Sequence, residues 1–164
     1  MKKLLIVLSF IICGFSLSTA QNVTRTQHRA ALTQDAVTTG TFTIRQPDYI
    51  GITTDGGREQ LVMDGTKFTM TMGGKQHVTD SRKNTQFATF HAVLKAVINH
   101  QPIPSGDDLK VNTRNGQTTI TITSTKKKRR LFSSFVLTID AKTSAILQLR
   151  MNERGSNYIN YEFK

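Results

Sequence analysis

The stretch from Gly40 to Thr79 contains three segments in which apolar and polar side chains alternate: Thr41-Phe42-Thr43-Ile44-Arg45, Glu59-Gln60-Leu61-Val62-Met63 and Phe68-Thr69-Met70-Thr71-Met72. A β-strand places successive side chains on opposite faces, so this alternation predicts a sheet that is apolar on one side only. Asp64-Gly65 and Gly73-Gly74 separate the segments and suit tight hairpin turns. The stretch therefore predicts an antiparallel meander whose apolar face must be covered by helices, a second sheet or a ligand.

The rest of the chain continues this organisation. Between Gln86 and Asn99 apolar residues recur every three or four positions, which predicts an amphipathic helix. The polar N-terminal segment Asn22 to Thr39 is expected to be flexible at first, with a short helix around Arg29 to Val37. Strands are expected near residues 41–45, 48–54, 59–63, 67–72, 75–79, 109–112, 117–123, 132–139, 145–152 and 157–163.

These elements define the predicted fold class. The chain reads as one α+β domain with a curved antiparallel sheet of about ten strands, covered by one or two helices. The apolar face of the sheet is large compared with the helical surface that could cover it. A sheet partly closed around an apolar hollow, an incomplete β-barrel, fits that imbalance better than a flat sandwich.

The first twenty residues predict export across a membrane. Lys2 and Lys3 precede the apolar run from Leu4 to Cys13, and Ser18-Thr19-Ala20 has the small residues that a signal peptidase requires. We expect residues 1–20 to be a cleaved signal peptide and residues 21–164 to be the mature domain. The alternatives are a membrane anchor, for which the apolar run is short, and lipidation at Cys13.

The composition of the mature chain limits its chemistry. Removal of residues 1–20 leaves 144 residues, and the loss of Lys2 and Lys3 lowers the formal charge from +11 to +9. The remaining chain has no cysteine, which excludes disulfides, thiolate metal sites and a cysteine nucleophile. The excess positive charge favours anionic partners such as phospholipid headgroups.

Several segments together resemble a known family. Gly40 to Pro47 is a strand opened by glycine and closed by a basic residue and proline, and Leu61 to Phe68 is a hairpin through Asp-Gly. A late strand pair, Leu137 to Asp140 and Leu147 to Met151, leads to Tyr161-Glu162-Phe163. In this order the segments resemble the periplasmic lipoprotein carrier LolA and its relatives, over roughly residues 40–163.

The resemblance implies a half-barrel with a helical lid. In such a carrier, the hydrophobic cavity takes the acyl chains of a lipoprotein released at the inner membrane and delivers them toward the outer membrane. The family arginine that precedes the proline and holds the lid corresponds to Gln46, since Arg45 lies one position earlier and points to the other face. The long N-terminal helix of the family is largely missing.

The inner-face residues of the strands are the candidates for the cavity, with the apolar face of the helix as its lid. For each of them, a simple packed core is the alternative. Methionines on one face of adjacent strands would suit variable lipid chains, although they also fill gaps in ordinary cores. The predicted cavity residues are Phe42, Ile44, Ile50, Ile52, Leu61, Met63, Phe68, Met70, Met72, Ile120, Ile122, Leu137, Leu147, Leu149 and Met151, and the lid residues are Gln46, Phe87, Phe90, Leu94 and Val97.

A basic run joins two of the predicted strands: Lys126, Lys127, Lys128, Arg129 and Arg130. Five positive charges without an acidic neighbour predict an exposed hairpin tip. The tip could contact anionic lipid headgroups or an acidic partner surface, or it could be solvated without a partner. Nucleic-acid binding is not expected, because no aromatic residues interleave the run to stack on bases.

The sequence does not predict an enzyme. It contains no Gly-x-Ser-x-Gly, no His-Glu-x-x-His and no phosphate-binding glycine loop. We expect no cofactor and no metal, because His28, His77, His91 and His100 are scattered along the chain.

Two functions stay open at this point. One is a monomeric periplasmic carrier of lipoprotein acyl chains or other lipids, with an inner-membrane release complex, an outer-membrane acceptor or an anionic membrane surface as its partners. The other is an envelope interaction or sensor module of the same fold, with a filled core and a basic docking loop.

Overall fold

The computed structural model describes residues 21–123 and 132–164, which form one antiparallel sheet of eleven strands crossed by one α-helix. The predicted signal peptide and the basic run from Lys126 to Arg130 lie outside the described residues. Short 3₁₀ turns occur at Asp55–Gly57 and Ser81–Lys83. The elements in chain order are β1 (Gln21–His28), β2 (Ala36–Arg45), β3 (Tyr49–Thr54), β4 (Glu59–Asp64), β5 (Lys67–Met72), β6 (Lys75–Asp80), α1 (Thr85–Ile98), β7 (Leu109–Arg114), β8 (Gln117–Thr123), β9 (Ser134–Asp140), β10 (Ile146–Asn152) and β11 (Tyr158–Phe163).

The order of the strands explains why the helix crosses the sheet. In space the strands follow the order β6-β5-β4-β3-β2-β1-β11-β10-β9-β8-β7. The chain therefore starts in the centre, moves outward to the edge strand β6, and resumes at the opposite edge in β7. Helix α1 is the main element of the connection between the two edges. The sheet is open, as predicted for an incomplete barrel, and α1 packs across its apolar face.

The first and last strands, β1 and β11, lie next to each other in the middle of the sheet. Strand β1 pairs with both β2 and β11, with Arg25 opposite Thr38 on one side and opposite Tyr161 on the other. Asn22 and Lys164 exchange two backbone hydrogen bonds, of 3.2 and 2.9 Å. The N-terminal segment is thus a central strand, which sequence reasoning did not predict.

The prediction of a short helix around Arg29 to Val37 is wrong. Residues 29–35 form the turn of the β1–β2 hairpin, which is supported by His28 Nδ1 lying 2.7 Å from Asp35 Oδ1. Strand pairing on both sides of β1 and along β2 overrides any local helical preference of this polar segment. The strand count is consequently eleven rather than about ten.

The turns and the helix agree with the sequence. Asn115 and Gly116 have φ values of 52° and 75°, as a tight hairpin turn between β7 and β8 requires. Helix α1 begins after Asn84, whose Oδ1 accepts hydrogen bonds from the backbone N–H groups of Gln86 and Phe87. It ends at Ile98, four residues before Pro102.

Candidate functional site

The concave, helix-covered face of the sheet holds most of the residues predicted for the cavity. Twelve of the fifteen are buried: Phe42, Ile50, Ile52, Leu61, Met63, Phe68, Met70, Ile120, Ile122, Leu137, Leu149 and Met151. Ile44 and Met72 are partly buried and pack against this cluster. The face is therefore continuous from β5 through the central strands to β8.

Leu147 is the exception among the predicted cavity residues. The pairing of β10 with β9 shifts register between Ile146 and Gln148, so that Ile146 pairs with Ile139 and is 6% exposed. A bulge of this kind changes the face to which a side chain points. Leu147 is only partly buried and lies outside the core cluster, and Ile146 occupies the core instead.

The methionines predicted to share a face do so. Met63 is paired with Phe68 and Met70 with Leu61 across β4 and β5, and both methionines are 1% exposed. Met72 lies two residues after Met70 on β5 and is only half-buried. These unbranched side chains can repack around a changed neighbour more easily than branched ones can.

Helix α1 covers this face through aromatic contacts with strands in both halves of the sheet. The ring of Phe87 lies 4.5 Å from that of Phe68 on β5 and 5.4 Å from that of Phe135 on β9. Phe90 stacks on Phe135 with the ring centroids 4.7 Å apart. The other predicted lid residues of the helix, Leu94 and Val97, are also buried. One helix thus bridges the two halves of the concave face.

Polar contacts hold the middle and the C-terminal end of α1 to the turn between β2 and β3. His91 Nε2 lies 3.0 Å from Asp48 Oδ2, and Asn99 Nδ2 donates to the backbone oxygen of Pro47 at 2.6 Å. Gln46 itself is exposed. The guanidinium of Arg45 lies 3.8 Å from the centroid of the Tyr49 ring. The contacts with this turn therefore come from the two residues that follow Gln46, while Thr89 Oγ1 of α1 donates separately to Asp108 Oδ2 at 2.6 Å.

In the described part of the chain, one cleft lies at each end of the helix. A cleft of about 210 Å³ lies at its C-terminal end, between Val97, Ile98, Ile44 and Ile146. A cleft of about 230 Å³ lies at its N-terminal end, between Phe87, Phe68 and Met70. Each is smaller than the 300–1,000 Å³ typical of a ligand pocket. Neither cleft alone is large enough for a long acyl chain with the helix in this position.

A buried charged group on the same face was missed by sequence reasoning. Arg25 on β1 is 1% exposed, and its Nε lies 3.0 Å from Glu59 Oε2 on β4. Its Nη2 donates to Gln27 Oε1 at 3.0 Å and contacts Met72 Sδ at 3.6 Å. The alternation of Val23 and Arg25 would have revealed its inward position only if β1 had been predicted as a strand.

Tyr161 lies beside Arg25 in the strand pairing between β1 and β11. Burial raises the pKa of the Tyr161 hydroxyl to about 12, although the positive charge of Arg25 and a hydrogen bond from its side chain act in the opposite direction. The phenol is therefore neutral at physiological pH and keeps its proton to donate. Among the described residues, Arg25 Nε and the side-chain amide nitrogen of the buried Gln86 lack a hydrogen-bond partner.

Two further properties concern the described residues only. No helix among them is long and apolar enough to cross a membrane. They also contain no group of three or more histidine, cysteine, aspartate or glutamate side chains placed to bind a metal ion.

Comparison with solved structures finds distant relatives of this fold. A LolA superfamily protein from Nitrosomonas europaea is 7% identical, with 90% of this chain and 84% of that chain covered and a TM-score of 0.36. LprF from Mycobacterium bovis is 9% identical, with coverages of 88% and 83% and a TM-score of 0.33. The MucA/MucB complex from Pseudomonas aeruginosa contains a chain that is 16% identical, with coverages of 88% and 50% and a TM-score of 0.36.

Sequence comparison assigns the family. Among curated proteins, none has a sequence that matches this chain significantly. The family model described as "Outer membrane lipoprotein carrier protein LolA" matches residues 15–164, which include all eleven strands and the helix. The chain therefore belongs to the LolA family.

Proposed function

We propose that this protein is a periplasmic carrier that binds the acyl chains of lipoproteins, or of other lipids, and transfers them toward the outer membrane. The observation that carries the proposal is the continuous apolar face of an open sheet covered by a single helix. That helix is connected to β6 by the 3₁₀ turn Ser81–Lys83 and Asn84, and to β7 by residues 99–108, which form neither helix nor strand. Membership in a family of lipoprotein carriers supports the same function.

The helix has to move for cargo to bind. The buried side chains Phe87, Phe90, Leu94 and Val97 occupy the concave face, and each contributes roughly 1.5–3 kcal/mol when it is buried. An acyl chain gains about 0.8 kcal/mol for each CH₂ that it buries. Twelve or so methylenes therefore offset much of the cost of displacing the helix, and Met63 and Met70 can adapt to the new occupant.

The same proposal defines compartment and partners. A cleaved signal peptide over residues 1–20 would export residues 21–164 as a monomeric domain. Cargo would come from an inner-membrane release complex and pass to an outer-membrane acceptor or an anionic membrane surface. The basic run from Lys126 to Arg130 is the segment whose charge suits such anionic surfaces.

The direct test is the cargo itself. The protein would be purified without detergent from the cell envelope, extracted with organic solvent, and the extract analysed by mass spectrometry. Stoichiometric recovery of acylated peptides or lipids is expected. An extract that matches the one from an unrelated basic periplasmic protein would contradict the carrier function.

A second function is favoured by the close packing of the interior among the described residues. The helix and the sheet share one cluster of buried hydrophobic residues, and the flanking clefts are small. An envelope interaction or sensor module with the same fold would keep this core closed and use its surface. A 1:1 complex with a long-chain acyl probe supports the carrier, whereas absence of probe binding together with capture of an envelope protein supports the module.

A further inference from the structure

Arg25 places a positive charge inside the apolar face of the sheet. A carrier that binds only neutral acyl chains would not require a charge at this position. It projects from β1 onto the concave face and reaches Glu59 on β4 and Met72 on β5, three and four strands away in the sheet. Its neighbours along the same face of β1 and β11 include Val23, Ile159 and Phe163, which are all buried. A charge in such surroundings is costly unless a partner of opposite sign stays close.

The partners of Arg25 satisfy its guanidinium incompletely. The separation of Nε and Glu59 Oε2 is 3.0 Å, but the two groups are not aligned as a hydrogen bond, and Nε has no partner among the described residues. One of the contacts of Nη2 is the sulfur of Met72, a weak acceptor. A guanidinium can donate two parallel hydrogen bonds to one carboxylate. The present geometry does not use this capacity.

Glu59 is the more exposed member of the pair. Its side chain is 17% exposed against 1% for Arg25, and it begins β4 two residues after the end of the 3₁₀ turn Asp55–Gly57. Its carboxylate is otherwise held by a hydrogen bond of 3.3 Å from Thr54 Oγ1. Glu59 can therefore turn toward water, whereas Arg25 cannot leave the interior without opening the sheet.

We propose that Arg25 binds the carboxylate of a free fatty acid, which replaces the carboxylate of Glu59 while the alkyl chain lies along the methionine-lined part of the concave face. This inference rests on the proposed carrier function and defines its ligand class more narrowly. A carboxylate is favoured over other anionic headgroups because it is the same chemical group that occupies the position now. The neutral hydroxyl of Tyr161 supplies a further donor beside the site.

The test compares two probes with the same alkyl chain, one ending in a carboxylate and the other in its neutral methyl ester. Binding of oleate and of methyl oleate to the purified protein is measured by calorimetry at 150 mM salt, where surface attraction is largely screened. We expect oleate to bind at least ten-fold more tightly. Equal affinities would overturn the carboxylate site but would leave the carrier function intact, whereas failure of both probes to bind would contradict the carrier function as well.

Two variants localise the preference. Glu59→Gln removes the competing carboxylate and should strengthen oleate binding several-fold with little effect on methyl oleate. Arg25→Met combined with Glu59→Gln replaces the pair without leaving a buried unpaired charge, so the fold should persist, which circular dichroism and thermal unfolding would verify. In this double variant the two probes should bind equally well. A preference for oleate that survives there would place the recognition elsewhere and refute the role of Arg25.

Discussion

His91 on the covering helix and Asp48 on the β2–β3 turn approach each other to 3.0 Å between Nε2 and Oδ2, and both side chains are mostly buried. Two turns further along the helix, Asn99 donates to the backbone oxygen of Pro47 and also to the oxygen of Lys95. The two contacts tie one half of α1 to a single turn of the sheet. Aromatic contacts hold the other half on the concave face, and Thr89 Oγ1 donates to Asp108 Oδ2, just before β7, at 2.6 Å.

Removal of these contacts should loosen the helix without unfolding the sheet. His91→Ala combined with Asn99→Ala deletes both side chains, and the expected loss in free energy of unfolding is about 1–2 kcal/mol, since partly exposed polar contacts are worth little each. Hydrogen exchange should accelerate in Thr85–Ile98 and stay unchanged in β1 and β11. Lys95→Ala, on the same helix but exposed, is the control. Uniform acceleration in all strands would show that the contacts support the whole domain.

The sequence predicted the parts of this fold that depend on local pattern. Alternation located β3, β4 and β5 because their buried apolar residues lie on one face, and the spacing of Phe87, Phe90 and Leu94 located the helix. Strand β1 carries only two fully buried residues, Val23 and Arg25. It forms a strand because it pairs with β11, which lies some 130 positions away in the chain. A local sequence pattern cannot predict a pairing over that distance.

The residues of the candidate site were also predictable only where a local sequence pattern determines them. Inner-face residues followed from alternation, except at the β10 bulge, where an extra residue in the strand reversed the faces of Ile146 and Leu147. The hold on the helix was expected at Gln46, but the contacts lie at Pro47 and Asp48. Such contacts depend on how the turn meets the helix in space.

Gly40 is required where β2 passes β3. A Cβ atom at this position would lie 1.8 Å from the backbone oxygen of Thr53, which neither strand can accommodate without breaking their pairing. Gly40→Ala should therefore cost about 3 kcal/mol of stability in urea unfolding. Thr39→Val, the exposed neighbour, should change it by less than about 0.5 kcal/mol. A neutral effect of Gly40→Ala would mean that the two strands lie further apart in solution.

The buried hydroxyl of Tyr161 should make the free energy of unfolding depend on pH in the alkaline range. Its pKa is raised from 10.0 to about 12 by burial, so above pH 10 the unfolded chain loses this proton while the folded protein keeps it. The stabilisation is complete below pH 10 and is lost as the pH rises toward 12, by about 2–3 kcal/mol in all. Tyr161→Phe should remove this part of the alkaline destabilisation. Identical pH profiles of the two proteins in guanidinium unfolding would contradict the burial of the hydroxyl.

The basic run is testable independently of the interior. Replacement of Lys126, Lys127, Lys128, Arg129 and Arg130 by serine should slow association with vesicles that contain phosphatidylglycerol and remove its salt dependence. Neutral phosphatidylcholine vesicles serve as the control surface. Unchanged association of the serine variant at low salt would leave the run without a role in membrane contact.

The mobility of α1 separates a carrier from a closed module. In a carrier the helix has to leave Phe68 and Phe135 to admit cargo, and elements that move in function belong to the least stable part of a structure. We expect the amides of Thr85–Ile98 to exchange at least ten-fold faster than those of the central strands in the ligand-free protein. A long-chain acyl ligand that fixes the displaced helix should slow this exchange and leave the protection of β1 and β11 unchanged. If the helix is as protected as the central strands and acyl ligands do not alter its exchange, α1 is a permanent core element and the carrier function is wrong.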